Sequence, residues 1–360
     1  MEKAIAGFIE AKRMKVNYAS FPMPANNENP FIGLLCKWLA EQGWQLHGFN
    51  FNIPNLIRNK QKVGVCYFHW PESIWRSKSL LYNYIKGLYF ILNCTTAKFL
   101  GYKLIWSAHN KLPHEYRSYY FEILLRKFIV RYFDLIIGHS VNTYSDLKSI
   151  IKTDFSKKYV LAEHGFYEDV YQPANTITRE SLGIPENKII VLLKASSKGY
   201  QGTNTVLNYI KSNKINSRFH FLIFGKEHIE HDFQFNEANP VSLYKRKINE
   251  TELADLLKMS DFVLMPYTSI TTSGFYFLAM TFHKPVIAPG IDFFTENSLP
   301  GTVLLYPPAN FDDGLNTIFD DIILNRWKKS EADFLSLEKK YNWELSSKKI
   351  TKAYQHAIDH

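Results

Sequence analysis

Two loops in the second half of the chain carry residue types suited to holding an anion. The first, LLKASSKGYQGTN over 192–204, leaves an apolar run through Ser196, Ser197, Lys198, Gly199, Tyr200 and Gly202 and enters a helical pattern. Small residues let backbone N–H groups approach a phosphate, a helix N-terminus favours negative charge, and a lysine adds a full positive charge. The same residues also suit a plain β–α turn with a solvated lysine. The second, PYTSITTSGFYFLAMTFHKPVIAPG over 266–290, sets Tyr267, Thr272, Ser273, Gly274 and Phe275 between an apolar run ending at Pro266 and another over 285–288. Ser273 or Thr272 is placed to cap the helix that follows. Gly274 lacks the Cβ that would hold a ligand away from that helix start. Two such starts on neighbouring strand ends suit the two phosphates of a nucleoside diphosphate.

The first half offers acids and imidazoles instead. SFPMPANNEN over 20–29, ending at Asn29, is one polar cluster; His69-Trp70-Pro71-Glu72 is another. HNKLPHE over 109–115 supplies His109, Asn110, His114 and Glu115, and His164-Gly165-Phe166-Tyr167 completes the set. Each cluster falls at an expected strand end. Glu72, Glu115 and His109 are groups able to take the proton of an attacking hydroxyl, with His69 and His114 beside them. Other roles compete: Glu115 as a first-turn acid of the helix near 116, Glu72 as a hydrogen-bonding anchor of its loop, His109 as a core histidine. His164 stands where the two halves join and is expected to bond donor phosphates or interdomain backbone. Trp70, Trp75 and Tyr116 offer faces for sugar rings, although at 16% aromatic content most such residues are core.

Positioning these groups requires strand ends, and the hydrophobic pattern provides them. Short apolar runs bounded by turn residues predict strands at 16–19, 63–69, 103–108, 135–139 and 158–162, then at 189–194, 220–224, 241–244, 262–265, 285–288 and 303–306. Helical spacing predicts helices at 31–42, 78–100, 119–132, 142–151, 204–211, 250–258, 274–282 and 313–327. Alternation of this kind specifies βαβ units and parallel sheets. The polar stretch 164–181 reads as a join, and 360 residues exceed one ordinary core, so two α/β domains are expected. Their binding loops would meet at a cleft.

Other features narrow the class. Lys and Arg outnumber Asp and Glu by 43 to 34, with a pI near 9.1, which suits a phosphate-bearing partner or an anionic membrane. Cys36, Cys66 and Cys94 have no zinc-like spacing and point to a reducing compartment. Residues 1–15 have no signal-peptide core, and 80–100 (LLYNYIKGLYFILNCTTAKFL) is too interrupted to span a bilayer. Its Leu81, Tyr84, Ile85, Leu88, Tyr89 and Leu92 share one helical face, which either rests on a membrane or, as the preferred expectation, packs inward. There is no P-loop and no Gly-x-Ser-x-Gly. His228, Glu230 and His231 lack a third ligand, and Asp312-Asp313 and Asp320-Asp321 suit caps and surfaces, so no metal is expected.

The order KASSKGYQG, FLIFGKE, ETELADLLKMSDFVLMPY, TTSGFYFLAM, HKPVIAP resembles the donor domain of family 4-like GT-B glycosyltransferases. The resemblance implies a GT-B architecture: two Rossmann-like domains facing a central cleft, with a C-terminal helix crossing back to the first. The corresponding boundaries are 1–165 for an acceptor domain, 166–330 for a nucleotide-sugar donor domain and 331–360 for the returning helices. The implied donor contacts are Lys198, Gly199, Tyr200, Gly202, Gly225, Tyr267, Thr272, Ser273, Gly274 and Phe275; Asn29, His69, Trp70, Asn110, His114 and His164 fall on the acceptor side. Where the family loop has an Arg and a Lys, this chain has Lys198 and Gln201, so one cation is missing. The family's paired acids are also absent from 273–280, and Ser273-Gly274 resembles the Ser-Gly motif of β-mannosyltransferases and exopolysaccharide enzymes. The expected function is transfer of a sugar from GDP-mannose or a UDP-sugar to a carbohydrate acceptor, lipid-linked, in bacterial surface polysaccharide synthesis. No metal, cofactor or nucleic acid is implied, and the expected location is the cytoplasm or the inner face of the plasma membrane. A non-catalytic nucleotide-sugar-binding module and an epimerase on the same fold are the alternatives.

Overall fold

The computed structural model describes residues 15–24, 30–113, 116–196, 198–212, 215–225 and 241–359. Asn29, His114, Glu115, Ser197, His228, Glu230 and His231 lie outside them. The described residues form two compact units: one up to His164 together with those from Asn342 onward, the other Gly165–Tyr341.

The first unit is built on a parallel sheet of β1 (Val16–Phe21), β2 (Trp44–Leu46), β3 (Val65–Phe68), β4 (Lys103–Ala108), β5 (Leu135–Gly138) and β6 (Tyr159–Leu161), in the order β2-β1-β3-β4-β5-β6. Its helices are α1 (Pro30–Glu41), α2 (Ile53–Asn59), α3 (Glu72–Trp75), α4 (Leu80–Phe99), α5 (Tyr119–Tyr132) and α6 (Thr143–Ile151). Parallel strands are covered on both faces and therefore read as apolar runs rather than as alternation. In β3, Val65 and Tyr67 enter one core while Cys66 and Phe68 enter the other.

The second unit repeats the plan with β7 (Ile189–Lys194), β8 (Phe219–Phe224), β9 (Val241–Tyr244), β10 (Phe262–Leu264), β11 (Val286–Pro289) and β12 (Val303–Tyr306), ordered β12-β11-β10-β7-β8-β9 and parallel throughout. Its helices are α7 (Thr203–Ser212), α8 (Glu250–Met259), α9 (Gly274–Thr281), α10 (Asp292–Glu296), α11 (Phe311–Ile323) and α12 (Glu331–Lys340). The joining stretch is pinned to this unit. The Asp255 carboxylate accepts from the N–H groups of Asn175 and Thr176, each at 2.7 Å, and of Ile177 at 3.1 Å.

The last helix, α13 (Trp343–Asp359), belongs to the first unit. It packs on α1, and Trp44 Nε1 donates to Thr351 Oγ1 at 2.9 Å.

One packing expectation is overturned. Leu81, Tyr84, Ile85, Leu88, Tyr89 and Leu92 of α4 face solvent, while Asn83, Gly87, Phe90, Asn93, Cys94 and Ala97 face the sheet. Close approach of α5 explains the small inward residue: a Cβ on Gly87 would lie 2.4 Å from the Phe121 ring.

Candidate active site

In an open α/β sheet the ligand crevice lies at the carboxyl ends of the strands where the strand order reverses. In the second sheet that point falls between β7 and β10, which are paired neighbours. The loops leaving their carboxyl ends are 195–202 and 265–273, the two stretches whose composition suits an anion.

Glycine draws these loops together. Gly202 has φ +67°, and a Cβ there would meet the Pro266 carbonyl oxygen at 2.2 Å, so both backbone conformation and contact require glycine. Gly225, at the end of β8, has φ +146° and would meet the Ala195 carbonyl oxygen at 2.7 Å. The Thr268 N–H donates to the Tyr200 carbonyl at 2.8 Å, and the rings of Tyr200 and Tyr267 lie 6.3 Å apart. A Cβ on Gly199 would meet nothing within 4 Å.

The helix start at α9 combines structural and binding features. Ser273 Oγ accepts from the Tyr276 N–H at 3.2 Å, so this hydroxyl is a cap. The N–H groups of Gly274 and Phe275 occupy the first-turn positions that a helix leaves without intrahelical partners. Thr272 Oγ1 is buried with no hydrogen-bond partner among the described residues. Packing also requires a small residue at 274: a Cβ there would lie 2.7 Å from the Tyr167 hydroxyl.

A second cation, which sequence reading did not single out, stands at the same strand end. Lys194 ends β7, and its Nζ lies 5.5 Å from the centre of the Phe275 ring at the start of α9. Its side chain remains solvent-accessible, yet the protein packed around it, and then the charge of Lys198, lower its ammonium pKa. Two neighbouring like charges, one of them against the start of α9, make a place that an anion would stabilise.

In the first sheet the strand order reverses between β1 and β3. His69, His109 and His139 immediately follow β3, β4 and β5, and His164 follows β6 closely. All four are buried around Phe31 near the start of α1, with ring centroids at 6.0, 4.7, 5.2 and 4.9 Å from it in that order. Trp70 stacks on His109 at 4.4 Å, and Trp343 lies 5.2 Å from His164.

The cage lowers the basicity of His69, His109 and His139. Burial, and next the neighbouring His139, push His69 down to about 3; burial pushes His139 down to about 4, against a hydrogen bond to Ala162. His109 is lowered well below its ordinary value by burial and then by His139, His69 and His164. His139 Nδ1 donates to the Ala162 carbonyl at 2.7 Å, which leaves Nε2 to accept from the Ser107 hydroxyl at 3.0 Å. Tyr67 then donates to Ser107 at 2.8 Å. Both ring nitrogens of His69 and Nε2 of His109 are buried without partners among the described residues.

Glu72 is the first residue of α3 and is buried, with Oε2 4.0 Å from Nη2 of Arg126. Arg126 is itself 1% exposed, donates from Nε to the Lys111 carbonyl at 2.7 Å and lies over Trp106 at 5.4 Å. Glu122, whose pKa is raised by burial, accepts from Trp75 Nε1 at 3.0 Å. Trp75 is fully buried, so it presents no face to a sugar. Asn110 is half-buried in the loop after β4. Among the described residues no three His, Cys, Asp or Glu side chains converge to hold a metal ion.

Solved structures share this architecture. HepE of Anabaena in complex with UDP and glucose is similar over 95% of this chain and 100% of its own, with a TM-score of 0.67 at 13% identity. Sucrose-phosphate synthase from Thermosynechococcus elongatus is similar over 96% of this chain and 100% of its own, with a TM-score of 0.69 at 14% identity. The chain has the GT-B fold. No family model matches it. A sequence relative, the GDP-mannose:glycolipid 4-beta-D-mannosyltransferase of Xanthomonas campestris pv. campestris, is 23% identical over 310 residues, 81% of this chain and 79% of that protein. Within the GT-B fold, the 195–202 and 265–273 loops stand at the switch point of the second unit.

Proposed function

We propose that this protein is a glycosyltransferase that moves a sugar from a nucleoside diphosphate to a glycolipid acceptor. The observation that carries the reading is the meeting of Lys194, Lys198, Thr272 and the first turn of α9 at the switch point between β7 and β10. The relative of similar length supports GDP-mannose as the donor and a glycolipid as the acceptor; bacterial surface polysaccharide synthesis is the setting proposed with them. Transfer needs no metal in this reading. As the bond between the anomeric carbon and the diphosphate breaks, its electron pair passes to the diphosphate. Lys194, Lys198 and the amides of Gly274 and Phe275 stabilise the charge that develops there. Gly199, Gly202, Tyr200, Gly225 and Tyr267 shape the loops around it, and Ser273 fixes the helix start.

The acceptor hydroxyl attacks the anomeric carbon and gives up its proton to a base of the first unit. Glu72 is the proposed base. His109 is less suited, because burial lowers the basicity that the step requires. His69, Trp70, Asn110 and His164 surround the acceptor side in this proposal. The experiment is Glu72→Gln: donor binding is expected to persist, while transfer from GDP-mannose to a mannose-accepting glycolipid falls by about 10²–10⁴-fold. Unchanged transfer would remove Glu72 from the role, and binding without turnover in the wild type would favour the non-catalytic module.

A further inference from the structure

α4 presents an apolar stripe to solvent, interrupted by Thr95 between Leu92 and Phe99. Leu81, Ile85, Leu88, Leu92 and Phe99 lie on one helical face and are 69, 52, 66, 52 and 89% exposed. Tyr82, Tyr84 and Tyr89 flank them, also exposed. The neighbouring α5, joined to α4 where Tyr84 meets Phe121 at 4.5 Å, extends the surface with Tyr120 and Leu124, 84 and 59% exposed. Singly exposed apolar residues are ordinary; a stripe along a helix of 20 residues, roughly 30 Å, marks an interaction surface.

The rim of this surface is basic. Arg76, Lys78 and Arg117 line a pocket of about 520 Å³ with Asn83, Tyr116 and Glu122, beside the N-terminal ends of α4 and α5. Lys86, Lys127 and Arg131 project from the helices themselves. Among the described residues, no carboxylate lies within 4.0 Å of any of these six cations.

We propose that the α4–α5 face docks on an anionic phospholipid bilayer, with its leucines, isoleucine and Phe99 in the acyl boundary and its cations at the phosphates. No helix among the described residues is long and apolar enough to cross a membrane, so α4 lies in the interfacial plane. Tyrosines beside an apolar stripe sit at headgroup depth, and each surface cation adds attraction to anionic lipid. A second copy of the chain fits less well, because two such faces would bring cation against cation. The proposal stands independently of the sugar-transfer reading.

The test is co-sedimentation of the full chain with vesicles of phosphatidylcholine alone or with a third phosphatidylglycerol. Wild type is expected to pellet with the anionic vesicles, more weakly as salt rises. Leu88→Asp/Leu92→Asp, at exposed positions, should keep the wild-type melting temperature and lose roughly tenfold in vesicle affinity. Arg76→Glu/Lys78→Glu/Arg117→Glu should lose a similar factor and much of the salt dependence. The proposal fails if wild type ignores anionic vesicles or if the leucine variant binds them unchanged. It also fails if the wild type forms a dimer that the leucine variant abolishes, because the stripe then joins two copies.

Discussion

Replacing His69 by Phe should make the first unit less sensitive to acid. The His69 ring is 1% exposed, stacks on Tyr67 at 4.6 Å and has no partner for either nitrogen among the described residues. Phe preserves a flat ring in an aromatic cage and removes two unsatisfied polar atoms, so stability at pH 7 should stay level or rise. The larger effect lies in pH dependence. The folded-state value, about 3, is below the ordinary 6.5, so this contribution to stability is complete above pH 6.5 and is lost as pH falls through that range toward 3. At pH 5 the imidazole is almost fully protonated in the unfolded chain and almost unprotonated in the fold. The difference of about 1.5 pH units is worth about 2 kcal/mol, and His139, lowered to about 4, adds a comparable amount. Urea unfolding followed by tryptophan fluorescence isolates this unit, which contains every tryptophan except Trp327. Between pH 7 and pH 5, His69→Phe should lose about 2 kcal/mol less stability than wild type. An unchanged pH dependence, or a loss of several kcal/mol at pH 7, would refute the neutral-cage account.

Other substitutions probe the remaining contacts. Gly202→Ala places a Cβ 2.2 Å from the Pro266 oxygen at φ +67°; urea unfolding should show a cost of about 1–3 kcal/mol, and GDP titration a weaker site. Gly274→Ala should be destabilising through the Tyr167 hydroxyl at 2.7 Å, and adding Tyr167→Phe should restore most of the loss; a double variant no better than the single would rule out this contact as the cause. Glu72→Ala removes the carboxylate 4.0 Å from buried Arg126 while Glu122 remains as a nearby acid, and should cost about 1–3 kcal/mol in chemical unfolding, more than Glu72→Gln.

Much of the fold is written in local pattern. Runs such as IIVLLK and FHFLIF are strands because both faces of a parallel sheet are buried, and their ends locate the loops that follow. β2 escaped because three residues, WQL, carry no period, and α2, α3 and α10 are too short to show one. The periodicity of α4 shows which residues share a face but not which way that face turns; the inward approach of Phe121 to Gly87 decides it. His139 has the same signal as His69 and His109, an imidazole directly after an apolar strand, and could have been grouped with them. Lys194 was hidden because a lysine ending a strand is ordinary until Phe275 and Lys198 are seen beside it. No sequence signal links Glu72 to Arg126, since α3 and α5 meet only in the fold.

In the proposed function the loops after β7 and β10 hold a nucleoside diphosphate. Isothermal titration calorimetry of the full chain with GDP and with UDP measures this directly, in wild type, Lys194→Ala and Lys198→Ala. At least one nucleotide should bind wild type, with each lysine variant about tenfold weaker and the wild-type affinity falling as salt rises. Absence of binding by either nucleotide, or equal affinity in all three proteins, would contradict the account.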